Sequence, residues 1–209
     1  MLNFDYRSIS SEVWAALAQM SPWEGLAVAL AVAYLVLAMK ESLWCWYCAF
    51  ISTTIYTFIF WDVSLLMQSG LNVFYMGMAV YGWWQWRKGG PRHEGVAIHR
   101  WPLATHGKIM ALIVLATLAS GYLLAENTRA VWPYVDAFTT WASVVTTWMV
   151  AKKVLENWLY WIVIDFVSAL LYFDRGLYLT ALLFSVYVVM VTFGYFNWKR
   201  HERNARRAA

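Results

Sequence analysis

One carboxylate in this sequence stands where carboxylates are scarce. Asp165 lies near the middle of the apolar run 155–173 and is the only acidic residue so deep in such a run. An ionised side chain at the centre of a spanning helix costs ~2.5 to 3.5 kcal/mol even on the mildest scale, so such a residue serves a ligand, a proton path or a bond to a neighbouring helix. Helical spacing puts Asn157, Trp161, Ser168 and Tyr172 on its face. That face offers a carboxylate, an amide, a hydroxyl and two aromatic rings, a set that suits an organic cation. The plainer alternative is a structural aspartate bonded to a Thr or Tyr of an adjacent helix.

Other runs carry polar stripes. Gln68, Asn72, Tyr75 and Ala79 share one in 64–86; in 134–150, Trp141 and Trp148 lie on one stripe and Ser143 and Thr147 on another. Thr53 and Thr54 lie in 43–61. Such side chains also join helices, at ~0.6 kcal/mol per bond on average, so part of this set is packing. Tyr81, Trp83, Trp84 and Trp86 directly precede Arg87, the pattern of an interfacial aromatic belt. Cys45 and Cys48 have C-x-x-C spacing but no strand and helix of a redox motif around them. His93, His99, His106 and His201 fall in polar connections or the tail and read as solvated, so no metal or cofactor is expected. The sequence has no phosphate loop, nucleophile elbow or dinucleotide fingerprint, and no His or Cys at depth to work with Asp165. It does not read as an enzyme.

The elements that hold these residues follow from composition. Of 209 residues, 62% are hydrophobic and 13% charged, about half the charged share of a soluble domain. Such a chain requires lipid, and its 15 Trp and 13 Tyr suit two membrane interfaces. Apolar runs at 22–39, 43–61, 64–86, 109–124, 134–150, 155–173 and 177–197 are each near the ~20 residues a spanning helix needs. Ile9, Val13, Leu17 and Met20 predict a surface helix over 8–20. Asp5, Arg7 and Glu12 precede the first long run, so no cleaved signal is expected there.

Cations divide unequally between the two ends of these runs. One end holds Lys40, Arg87, Lys88, Arg92, Arg100, Lys108, Lys152, Lys153, Lys199, Arg200, Arg203, Arg206 and Arg207; the other holds Arg7, Arg129 and Arg175. The richer end is expected in the cytoplasm, with the N-terminus outside. Topology and lipid headgroups thus account for the net charge of +4, and nucleic acid is not an expected partner.

The chain also matches itself. An offset of 112 residues aligns Leu43 with Leu155, Trp46 with Trp158, Asp62 with Asp174, Tyr75 with Tyr187, Gly82 with Gly194 and Trp86 with Trp198. The expected fold is therefore an all-α membrane protein of seven transmembrane helices with a parallel three-plus-one-plus-three repeat. Its parts are a surface segment (1–21), a first three-helix repeat (22–86), a loop (87–108), a linker helix (109–124), a second repeat (134–197) and a basic tail (198–209). Parallel repeats are a transporter architecture, with substrate held between the halves.

Two aromatic strings carry a resemblance: Tyr81-Gly82-Trp83-Trp84-Gln85-Trp86, and the stretch from Glu156 to Asp165 that includes Asn157, Trp158 and Trp161. Across residues 24–200 the chain resembles the Pnu family of bacterial vitamin transporters. The resemblance implies uptake by facilitated diffusion through the inner membrane, a homotrimer, and a cytoplasmic kinase that traps the vitamin without stable binding. The candidate substrate-binding set is Asp165, Trp161, Asn157, Trp158 and Ser168 in the sixth span, Asn72, Tyr75 and Gln68 in the third, and Trp141 and Trp148 in the fifth. Nicotinamide riboside carriers of the family tend to place Asn where this chain has Asp165, and Asn where it has Ala79. Those departures favour thiamine, a ring cation with fewer hydroxyls, and nicotinamide riboside, also cationic, is the alternative.

Overall fold

The structure, a computed structural model, describes residues 6–62, 66–91, 93–128 and 132–208. Among these residues the chain forms eight helices: α1 (Tyr6–Gln19), α2 (Pro22–Met39), α3 (Trp44–Asp62), α4 (Leu66–Lys88), α5 (Leu103–Asn127), α6 (Pro133–Ala151), α7 (Asn157–Asp174) and α8 (Tyr178–Ala208). Helix α2 starts where the Ser21 side chain accepts the Glu24 amide at 3.1 Å with Pro22 in the first turn, two devices that satisfy or remove otherwise unpaired N–H groups. Helix α6 likewise opens on Pro133.

Two boundaries differ from the sequence expectation, each for a tertiary reason. Helix α5 begins at Leu103, inside the expected loop, and its first turn is docked by His106, whose Nδ1 lies 3.0 Å from the Tyr160 hydroxyl of α7. Helix α8 runs through the basic tail as one 31-residue helix. There Glu202 bonds Arg206 one turn on and takes a forked contact from Arg100, Nε to Oε1 at 3.0 Å and Nη2 to Oε2 at 2.9 Å.

Helices α2, α5 and α8 are long and apolar enough to cross a membrane by length and composition. Helices α3, α4, α6 and α7 have 18 to 23 residues, at least ~27 Å at 1.5 Å per residue, near the ~30 Å of a bilayer core. Their Trp, Tyr and hydroxyl residues lower their mean hydropathy. Outward faces are apolar, with Leu112, Leu115 and Leu118 on α5 and Val189, Phe193 and Phe196 on α8 all exposed.

The helices pack in a ring. α2 lies on α3, α3 on α4 and α4 on α6; α6 lies on α7, α7 on α8 and α8 on α2. Helix α5 packs on α6 outside the ring, and α1 on α8.

At the basic end the contacts repeat at the 112-residue offset. The Trp86 indole donates to the Val150 carbonyl at 3.1 Å, and the Trp198 indole to the Ala38 carbonyl at 3.0 Å. Trp46 meets Trp86 edge-on at 5.2 Å and Trp158 meets Trp198 edge-on at 5.3 Å, while Trp86 and Trp198 lie 5.9 Å apart. Four indoles thus form one chain across both halves. Gly82 lies against Trp46 and Gly194 against Trp158, and a Cβ at either would overlap the indole. The α2–α3 and α6–α7 turns each hold a left-handed residue, Glu41 and Lys153, both at φ 54°. These two form an ion pair, Nζ to Oε2, at 2.9 Å.

The connection between α4 and α5 is strapped to this end. His99 donates its amide to the Lys153 carbonyl at 3.1 Å and accepts from the Leu155 amide at 2.8 Å. The Arg100 contact, opposed by a smaller effect of burial, holds the Glu202 carboxyl below its ordinary range.

Candidate functional site

Inside the ring, above the indole chain, lies a cavity of about 180 Å³. Ala31 and Tyr34 of α2, Trp46, Ala49, Ser52 and Thr53 of α3, Tyr75 and Ala79 of α4, Thr147 of α6 and Trp161 of α7 line it. Four aromatic side chains, Tyr34, Trp46, Tyr75 and Trp161, and small residues make the wall, which offers a flat ring aromatic surface to pack on.

The three aliphatic hydroxyls in the wall already have places for their protons. Ser52 Oγ donates to the Ala27 carbonyl, Thr53 Oγ1 to Ala49 and Thr147 Oγ1 to Ser143, each at 2.8 Å. Their oxygens remain as acceptors. These acceptors suit a ligand that brings positive charge or N–H groups, and the Tyr34 and Tyr75 phenols add groups that can donate as well as accept. The Trp46 Nε1 is buried with no partner among the described residues and is a donor in reserve.

Of the residues picked out in the sequence, Trp161 and Tyr75 line this cavity. Asp165 is buried one turn beyond Trp161, at 3% exposure, and among the described residues no hydrogen bond or ion pair holds it. Tyr187 of α8 is within electrostatic reach of it. Ser168 and Asn72 are buried on α7 and α4. Gln68 belongs to α4, and its side chain falls outside the described residues.

The others lie at different places. Asn157, fully buried at the start of α7, donates from Nδ2 to the Val154 carbonyl at 2.6 Å, and its Oδ1 has no partner among the described residues. Trp158 is in the indole chain. The Trp141 indole donates to Ser120 Oγ of α5 at 2.9 Å, and the Trp148 ring lies 5.2 Å from that of Trp101.

Sequence reasoning missed Tyr34, Trp46, Ala49 and Ser52 as cavity residues. Trp46 had a signal, its place in the internal match, but small residues such as Ala49 carry none. Cys45 is buried and Cys48 half-buried, both as free thiols.

Apolar helix faces turned outward around a small ring-lined cavity define the chain as a polytopic helical membrane protein. Residues 21–200 match the family described as nicotinamide mononucleotide transporter, and the chain belongs to that family. The expectation raised by the aromatic strings holds. The chain is similar to the riboflavin/roseoflavin transporter RibM of Streptomyces davaonensis, 27% identical over 176 residues that cover 82% of this chain and 82% of that protein. It is also similar to the nicotinamide riboside transporter PnuC of Escherichia coli, 21% identical over 197 residues, 81% of this chain and 82% of that one. The crystal structure of the vitamin B3 transporter PnuC shares the fold, with a TM-score of 0.68 at 20% identity, over 92% of this chain and 87% of that one.

Proposed function

We propose that the chain carries a cationic vitamin across the bacterial inner membrane, with nicotinamide riboside the first candidate. The observation that carries this reading is the size and lining of the central cavity. An apolar cavity of ~150 Å³ holds benzene, whereas pockets for drug-sized ligands run ~300 to 1,000 Å³. About 180 Å³ between Tyr34, Trp46, Tyr75 and Trp161 therefore has room for one aromatic ring, with the rest of a ligand reaching out of the open side. The fused three-ring system of riboflavin needs more room. Acceptor oxygens in the wall and the Asp165 carboxylate one turn from Trp161 favour positive charge on that ring. The relative named for nicotinamide riboside moves the preference from thiamine to that vitamin. Thiamine stays as a second reading because Ala79, a departure from the nicotinamide riboside pattern, stands in the cavity wall.

The architecture that goes with this function is seven spans in a parallel three-plus-one-plus-three repeat. Equal bonds at the 112-residue offset, Trp86 to Val150 and Trp198 to Ala38, support it. The cation-rich end faces the cytoplasm and the N-terminus lies outside. With no second carboxylate at depth for an ion or proton relay, uptake runs by facilitated diffusion. Accumulation then depends on a cytoplasmic kinase, and assembly as a homotrimer follows the family resemblance.

The deciding experiment is calorimetric titration of purified protein with nicotinamide riboside, thiamine and riboflavin. The expected order of affinity is nicotinamide riboside, then thiamine, with riboflavin weakest. Tightest binding of riboflavin would overturn the single-ring, cationic reading.

A further inference from the structure

At the basic end the two halves keep the same residues at matching positions, but at the cavity they diverge. The 112-residue offset sets Ala49 against Trp161, Ser52 against Ile164 and Ala79 against Val191. All three small residues line the cavity, and their counterparts are bulky. Trp46 and Tyr75, by contrast, match Trp158 and Tyr187 in kind. The second half fills the space that the first half leaves open, and Trp161 reaches into the opening from across the ring.

We infer that Ala49 is a specificity-determining residue: the indole missing at position 49 leaves the space that the vitamin's ring occupies, off the axis between the halves and stacked on Trp161. The pocket is then a product of divergence between the copies, and the side chain at 49 limits the size of ring admitted. The inference deepens the transport reading and rests on it for the identity of the ligand. The chemistry is general. An indole buries ~150 to 250 Å² of surface, so adding one to a single-ring cavity leaves no room for a ligand.

The test uses the full chain in detergent, with calorimetry as readout so that an added Trp does not disturb the signal. Ala49→Trp should weaken nicotinamide riboside by at least about tenfold, equivalent to ~1.4 kcal/mol, while the protein stays monodisperse and melts cooperatively. Ala79→Val, which copies the second half with two extra methyl groups, should weaken it by roughly two- to fivefold. If Ala49→Trp does not fold, Ala49→Val, which narrows the same wall by two methyl groups, decides the matter by the same measurement. Folded variants that bind as the wild type does overturn the inference and leave the transport reading standing. If the wild type binds none of the three vitamins, the transport reading falls and benzene becomes the probe. A rise in melting temperature with benzene in the wild type, absent in Ala49→Trp, still supports position 49 as the wall that admits one ring. An equal rise in both, or no rise in either, overturns it.

Discussion

The two halves of this molecule agree where they close and disagree where they open. At the basic end, Trp46, Gly82 and Trp86 of one half do what Trp158, Gly194 and Trp198 do in the other, with cross-half indole bonds of 3.1 and 3.0 Å. One turn or two away, Ala49 faces a space while its counterpart Trp161 fills one. Matching contacts hold the two ends of the chain together. A ligand needs a concave, uneven place, and two equal halves would present the same wall twice. The difference between the matched positions therefore marks the candidate site more sharply than any single residue does.

The largest expected effect tests the agreement. Trp86→Ala and Trp198→Ala each remove a buried indole and a cross-half hydrogen bond, and buried aromatic-to-alanine changes cost ~3 to 5 kcal/mol. Thermal unfolding in detergent should show two similar, large losses. If one variant melts like the wild type while the other collapses, the closing end is not shared equally and the comparison fails.

The next effect tests the disagreement. Asp165 and Thr53 occupy matching positions, yet one is a buried carboxylate without a described partner and the other is a hydroxyl in the cavity wall, bonded to its own helix at 2.8 Å. Asp165→Asn keeps shape and removes charge, and it should weaken a cationic vitamin by about tenfold, ~1.4 kcal/mol. Thr53→Val removes an acceptor oxygen and should cost ~1 kcal/mol or less. Equal losses in calorimetry would mean that Asp165 is a packing residue. Trp161→Ala should cost ~1 to 3 kcal/mol, the range for stacking of a base on an aromatic side chain.

Much of this was legible before the structure. The 112-residue match, which speaks of architecture and not of contacts, picked out the residues whose contacts recur at the basic end. The depth of Asp165 with Trp161 one turn away pointed to α7. What the sequence hid falls into two kinds. Aromatic residues look alike whether they stack on a ligand or on each other, so Trp158, Trp141 and Trp148 gave no sign of lying in the indole chain, on Ser120 and on Trp101. Ala31 and Ala49 carry no functional group that would single them out, so that side of the cavity was invisible. The basic tail hid its helix as well, since a charge run reads as a solvated terminus until Arg100 is found clasping Glu202.

The smallest expected effect concerns the contact on which the matching turns meet. Glu41 and Lys153, both left-handed and both at φ 54°, pair at 2.9 Å, and His201 Nδ1 lies 2.7 Å from the other Glu41 oxygen. Burial pushes the Glu41 carboxyl up, and the contacts with Lys153 and His201 outweigh it, leaving the group below its ordinary value. A carboxylate held low in the folded state adds stability above its unfolded pKa of about 4.3, and that contribution fades as pH falls through the folded value. Glu41→Gln should therefore lower the melting temperature modestly at neutral pH, and the gap to wild type should close on acidification below about pH 4. A double-mutant cycle with Lys153→Met should give a coupling of up to ~1 kcal/mol, the scale of a partly exposed pair. A gap that stays constant from neutral to acid pH would show that the two turns meet through shape alone, and that the charge pair adds nothing to the closing of the halves.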